Sequence, residues 1–399
     1  MAWWLIVLII VGVLVLLVAL YDIVQPSDPI IRNFPVVGHF RTVLSSSGPK
    51  LRQYIVAAND EERPFSRDQR TWVYGTAAGE GAYFGFGTDN VIDRDNHIII
   101  KQSTFPDTTP IGENAPLPCA KIMGAWRDRT HQFRPESVVY VSAMSYGSLS
   151  ARAVEAINRG CAISGAMHNT GEGGVAFPHR NGGTLMFQFG TGYFGCRNKD
   201  GTFSLDTLCE TVASAEVGCI EVKLSQGAKP GLGGVLPGKK VTPAIAEARG
   251  VEIGQTVFSP NRHSAFHDVD GLIDFVETIA EATGLPVGIK SAVGQQTFWD
   301  ELAQRMAARN QGPDFITIDG GEGGTGAAPL AFSDHVSLPF REGFARAHQP
   351  FVAAGLHQHI IFSGSGRLGF PADALLAFAM GVDMIGLARE PMLALGCIQ

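Results

Sequence analysis

Apolar positions along this chain fall into one long unbroken run and a later series of short ones. The long run occupies residues 1–20, which contain no charged or polar side chain. Twenty helical residues span about 30 Å, the thickness of a bilayer's hydrocarbon core. Trp3 and Trp4 at one end and Tyr21 at the other suit the two membrane interfaces. The alternative is a cleaved signal peptide. The missing basic n-region, the length of the run and the lack of a small-residue cleavage pattern favour a retained anchor over residues 1–24. Arg32, Arg41, Lys50 and Arg52 follow it, which places a single-pass anchor with the body of the protein in the cytoplasm.

The short runs begin near residue 137. Strand-length apolar segments lie at 138–144, 166–170, 184–189, 219–224, 286–293, 315–319, 359–364 and 383–388. Helical patterns occupy 150–165, 271–283, 298–310 and 371–381, with Ser150 and Asp270 at expected N-cap positions. Strand and helix in alternation predict a parallel sheet, and eight repeats predict a closed (β/α)8 TIM barrel over 137–399. An open doubly wound sheet is disfavoured because AMSYGSLS, rather than GxGxxG, follows the first strand. Residues 25–136 read as an N-terminal extension packing on the barrel. Its stretch NDEERPFSRDQR (59–70) suggests a solvated, ion-paired surface.

Composition adds a few limits. Glycine is 48 of 399 residues, about 12% against an average near 7%. The net charge of −7, with no basic run, argues against nucleic-acid binding. Six cysteines without CxxC spacing suit a reducing compartment.

Active sites of such barrels form at the C-terminal strand ends. Those positions here carry Met144 and Ser145, Glu172 in NTGEGG, Gln188, Lys223, QGAKPGLGG with Gln226 and Lys229, Lys290, DGGEGGTGAAP with Gly323 and Gly324, Gly364 and Gly366, and Gly386. Glycines after the seventh and eighth strands let backbone N–H groups approach a phosphate. Lys223 and Lys290 fall on buried strands, so each requires an anionic partner: Glu172, Asp319 or Glu322, or a flavin ring whose reduced form is negative near N1.

MSYGSLS, NTGEGG, VKLSQGAKPGLGGVLPGKKVTP, SPNRH (259–263) and GGEGGTGAAP together resemble the FMN-binding synthase domain of glutamate synthase, from about 138 to the last residue. RNFPVVGHFR and EERPFSRDQR resemble single-chain bacterial members with an apolar N-terminus. The resemblance implies reductive amination of 2-oxoglutarate, or a similar 2-oxo acid, by ammonia or an amine, with hydride from reduced FMN. It implies that Met144, Ser145, Gln188, Lys223, Gly323, Gly324, Gly364, Gly366 and Gly386 hold FMN. Lys290, Gln226, Lys229 and Glu172 would then serve catalysis. Members that use glutamine carry a glutaminase domain with an N-terminal cysteine; here an apolar helix stands first, so nitrogen is expected from free ammonia, another amine or a partner. The electron donor is expected to be ferredoxin or a reductase subunit. The family's iron–sulfur motif would begin at Cys397, a single remaining ligand, so a cluster is expected only if the chain continues past Gln399. Two other functions fit an FMN barrel. One is a 2-hydroxy-acid oxidase using His263 with Arg262, and the other is a non-catalytic, membrane-bound flavin electron carrier.

Overall fold

A computed structural model describes residues 2–58, 61–80, 85, 87, 88, 90–106 and 117–397. Met1 of the apolar run, Asn59 and Asp60 of the charged stretch, and Ile398 and Gln399 lie outside the described residues. The chain divides into two compact units, residues 1–92 and 93–399. Residues 117–136, which the sequence reading assigns to the extension, fall in the second unit and are tied to the barrel.

The first unit contains helices α1 (Trp3–Val24), α2 (Pro29–Asn33), α3 (Val37–Leu51) and α4 (Arg67–Ala77). α1 is apolar around its whole circumference and long enough to cross a membrane. Near its end the fully buried Asp22 carboxylate accepts the Val36 N–H at 2.8 Å and lies 2.9 Å from His39 Nε2. α4 opens with a reciprocal capping box between Ser66 and Gln69. In its first turn Arg70 is buried, 2.7 Å from Glu62 of the charged approach, and donates to the Phe65 carbonyl. The ion pairing expected of this stretch is thus present at Arg70, but buried rather than solvated.

In the second unit the eight apolar runs become strands of one closed parallel barrel. They are β1 (Val139–Val141), β2 (His168–Asn169), β3 (Leu185–Phe189) and β4 (Val217–Lys223), then, after a hairpin of β5 (Val235–Leu236) and β6 (Val257–Phe258), β7 (Val287–Ala292), β8 (Phe315–Asp319), β9 (Ile361–Ser365) and β10 (Met384–Leu387). Each strand pairs with the next barrel strand in the chain, and β10 closes on β1 through Val139–Ile385 to Val141–Leu387. The outer helices are α5 (Ala151–Ser164), α6 (Leu205–Ala213), α7 (Pro243–Arg249), α8 (Val269–Thr283), α9 (Thr297–Arg309), α10 (Leu330–His335), α11 (Phe340–Ala353), α12 (Pro371–Ala379) and α13 (Arg389–Ala394). Ser150 caps α5 as its sequence position suggests, accepting from Ala153 N–H. Asp268, not Asp270, caps α8, because the extended backbone ends at 268. Asp270 sits in the first turn and pairs with Arg309 at 3.2 Å.

Leu, Ile, Val and Phe side chains from the strands' outer faces and the helices form the larger core. Inside the barrel Met123, Tyr140, Met186, Cys219, Phe315, Ile361 and Met384 fill the lower layer. Residues 117–136 close that end from below. Arg129 there makes two hydrogen bonds to Glu277 at 2.6 and 2.9 Å and two to Asp314, and Arg127 reaches Asp314 at 3.1 Å. Lys121 is held by Asp383 and by the carbonyls of His357 and Ile360.

Candidate functional site

Alternation along β4 sorts chemistry by height. Cys219 faces the apolar lower layer, Glu221 the middle and Lys223 the upper rim. Glu221 is fully buried and accepts from Asn169 Nδ2 (2.8 Å), Gln188 Nε2 (2.6 Å) and Thr317 Oγ1 (2.6 Å). Three neutral donors satisfy it, and in return it fixes the Gln188 amide beneath the rim.

Above this layer a cavity of about 340 Å³ opens at the C-terminal strand ends. Met144, Ser145, Glu172, Gln188, Lys223, Gln226, Lys229, Lys290, Gly323, Gly324, Gly366 and Gly386 all line it. The loops that bring them together cross tightly at Gly227, where a Cβ would stand 1.8 Å from the Gly320 carbonyl oxygen. The Gly227 N–H donates to Asp319 Oδ2 at 2.8 Å, which locks the long loop after β4 onto the end of β8.

The lining holds six cationic side chains, Lys223, Lys229, Arg249, Lys290, Arg367 and Arg389, against three carboxylates, Glu172, Asp319 and Glu390. Lys223 Nζ lies 3.0 Å from Glu172 Oε1 and donates to Gln226. Burial would push the Glu172 carboxyl up, but Lys223, with Lys229 and Arg249 beyond it, holds it below the usual carboxylate range. Lys229, buried, donates to the Gly233 carbonyl at 3.0 Å, and its affinity for a proton is lowered by burial and by the Lys223 charge. Lys290 is buried 3.6 Å from Asp319, which also accepts from Ser365. Arg249 ends α7 with its guanidinium 5.0 Å over the Phe194 ring and its buried Nε without a hydrogen-bond partner among the described residues. At the far side, Arg389 donates to the Glu322 carbonyl at 2.7 Å, and burial and the nearby Arg367 both lower its pKa.

Two expected site residues lie elsewhere. Gly364 faces away from the cavity lining: a side chain there would meet the Phe340 ring at 2.6 Å, so packing against α11 explains the glycine. His263 is neither a base above the cavity nor a surface residue. It is buried, with Nε2 2.9 Å from the Lys223 carbonyl, Nδ1 3.2 Å from Tyr193 Oη, and its ring stacked on Phe266. Arg262 beside it is exposed, so the pair that a hydroxy-acid oxidase would need is not assembled. Among the described residues no three His, Cys, Asp or Glu side chains gather for a metal ion, and Cys397 has no described co-ligand. The sequence reading missed Arg249, Arg367 and Arg389. The last two directly follow strand-end segments, Gly366 and Ala388, and that adjacency was the signal available.

Residues 122–399 match the conserved region in glutamate synthase. The chain is 32% identical over 431 residues to the glutamate synthase large subunit-like protein YerD of Bacillus subtilis, covering 98% of this chain and 82% of that protein. It is 35% identical over 269 residues to an archaeal-type glutamate synthase [NADPH] of Thermotoga neapolitana, covering 67% of this chain and 50% of that one. A solved mandelate oxidase with benzoyl-formic acid aligns at 18% identity and a TM-score of 0.41 over 66% of this chain and 68% of its own, a likeness too slight to bear on the reaction.

Proposed function

The chain belongs to the glutamate synthase family of oxidoreductases, and on that premise we propose that its barrel binds FMN and reductively aminates 2-oxoglutarate, or a 2-oxo acid like it, to glutamate. The observation that carries this reading is the charge of the cavity. A chain of net charge −7 gathers six cations against three carboxylates around one space. That excess fits a phosphorylated cofactor and a dicarboxylic substrate together.

The donor set suits FMN. Arg367 and Arg389, with the backbone at Gly366 and Gly386, would hold the phosphate, and Gly323 and Gly324 would border the cofactor. Met144, Ser145, Gln188, Lys223 and Lys290 would surround the ring. FMN, when bound and reduced, supplies the hydride that converts the imine of the 2-oxo acid to the amine. Lys229 and Arg249 bind the substrate carboxylates, the orphaned Arg249 Nε gaining a partner. Glu172, held ionised, attracts the ammonium ion and takes the proton it must shed to attack the 2-oxo carbon as ammonia, and Gln226 keeps Lys223 and Glu172 in register. Lys290 Nζ donates a proton to the carbonyl oxygen that leaves as water.

Nitrogen arrives as ammonia or another amine, and electrons come from a partner protein of the ferredoxin or reductase type. α1 anchors the enzyme by a single pass with the barrel in the cytoplasm; its length and the four basic residues that follow it support this.

The test is anaerobic. Full-length protein in detergent is loaded with FMN, reduced with dithionite, and mixed with 2-oxoglutarate and ammonium. Flavin reoxidation with matching glutamate formation is expected. A fully loaded flavin that no 2-oxo acid reoxidises would overturn the reaction, and a protein unable to take up added FMN would overturn the cofactor.

A further inference from the structure

The segment immediately after α1 carries a second apolar feature that the proposed chemistry does not use. α3 leaves Val37, Phe40, Val43, Leu44 and Leu51 exposed, Val37 at 72% and Phe40 at 67%. At about 100° per residue these five side chains share one arc of the helix, interrupted only by Ser47. Arg41 and Lys50 flank the arc on its two sides, while His39, Ser45 and Ser46 point away from it. An apolar stripe edged by long cationic side chains is the pattern of a helix lying in the plane of a membrane, where the cations reach up to headgroups.

The fold also fixes where α3 begins. Asp22, in the last turn of α1, holds the Val36 N–H at 2.8 Å and His39 Nε2 at 2.9 Å. The intervening turn is knit by Gln25, whose side chain donates to the Asp22 and Asp28 carbonyls and accepts from Ser27 and the Asp28 N–H. Asp28 in turn caps α2. The start of α3 is thus pinned within hydrogen-bonding distance of the end of α1, so if α1 spans the bilayer, α3 starts at its surface.

We propose that α3 is an interfacial helix, its apolar arc sunk into the lipid surface beside α1 with Arg41 and Lys50 on anionic headgroups. This rests on the reading of α1 as a membrane span. Charge complementarity and direct continuity with that span single out lipid as the occupant of the exposed face.

Spin labelling of the full chain tests it. Single cysteines replace Val37, Phe40, Leu44, Ser45, Ser46 or Leu14 in a background carrying Cys209→Ser and Cys397→Ser. The protein is placed in phosphatidylcholine vesicles containing phosphatidylglycerol. Labels at 37, 40 and 44 should collide with oxygen and resist a water-soluble nickel chelate, with the reverse at 45 and 46. The label at 14 reports on the span itself. Nickel access at 37, 40 and 44 while position 14 stays in lipid would overturn the proposal and leave the span standing. Shielding from both reagents would mean that protein, from the same or a second copy, covers the face, and would also overturn it. Nickel access at position 14 would remove the membrane reading altogether. Arg41→Glu with Lys50→Glu should shift the labels toward water in the anionic vesicles; an unchanged profile would refute the role given to the two cations.

Discussion

The two ends of the barrel handle buried charge in opposite ways. At the floor, Arg127 and Arg129 face Glu277 and Asp314, two cations against two carboxylates, and Arg129 makes four hydrogen bonds to them. At the mouth the cations outnumber the carboxylates six to three. A self-neutralised cluster has no use for a ligand. An unbalanced one is stable only if something anionic completes it, because an uncompensated buried charge is expensive. The floor therefore reads as structure and the mouth as function, although both are made of the same residue types.

That contrast is broken most severely at the floor. Arg129→Ala strips Glu277 of its bidentate partner and Asp314 of its Nε donor inside the protein, and removing one member of such a buried set costs about 3–5 kcal/mol. Denaturant unfolding should show this loss whether or not flavin is present; a change under 1 kcal/mol would mean the cluster is dispensable. At the mouth, Arg389→Ala should scarcely move stability. It should weaken FMN binding by about 1.5–3 kcal/mol, the worth of a charge-assisted hydrogen bond. Riboflavin, which lacks the phosphate, should bind both proteins alike in a fluorescence titration. Equal losses for the two flavins would remove Arg389 from the phosphate site.

His263 belongs to the structural side of the comparison despite lying next to Lys223. Burial lowers its pKa, so the folded protein keeps the ring neutral while the unfolded chain protonates it as pH falls through the ordinary histidine range. Its contribution to stability is present above that range and is lost as pH falls toward the lowered folded value. His263→Ala should cost about 1–3 kcal/mol through the bonds lost to Lys223 and Tyr193. Turnover should keep its pH profile between about 6 and 7; disappearance of a titration there in the variant would restore His263 as a base.

The barrel was legible because each of its strands is a short apolar run bounded by turn residues, and even the two-residue β2 showed through AMHNT. The hairpin of β5 and β6 was not, since two residues per strand leave no period to read. The site was legible wherever a glycine-rich motif followed a strand. Arg249 was hidden for a different reason. A basic residue at a helix end followed by glycine is ordinary complement to the helix dipole, and nothing local shows that α7 turns this one inward against Phe194. Gly364 is ambiguous for the opposite reason, because a glycine that makes room for the Phe340 ring and one opened for a phosphate look alike in sequence. Glu221 could have been found, since the alternation of Cys219, Glu221 and Lys223 already placed an acid inside the barrel.

Lys229 offers the finest discrimination, because its two pH effects have opposite signs. Burial and the Lys223 charge lower its folded pKa below that of a free lysine. Between those two values the unfolded chain binds the extra proton, so the stability of the ligand-free protein rises with pH across that window. Anion binding needs the proton, so affinity for 2-oxoglutarate should fall across the same window, by up to about tenfold per pH unit. Calorimetric titration from about pH 7 to 10 should show this alkaline loss, and Lys229→Arg, whose charge persists far higher, should shift it upward. If affinity and stability instead moved in the same direction, or if Lys229→Arg left the alkaline limb in place, Lys229 would belong with the self-contained charges of the floor rather than with the ligand.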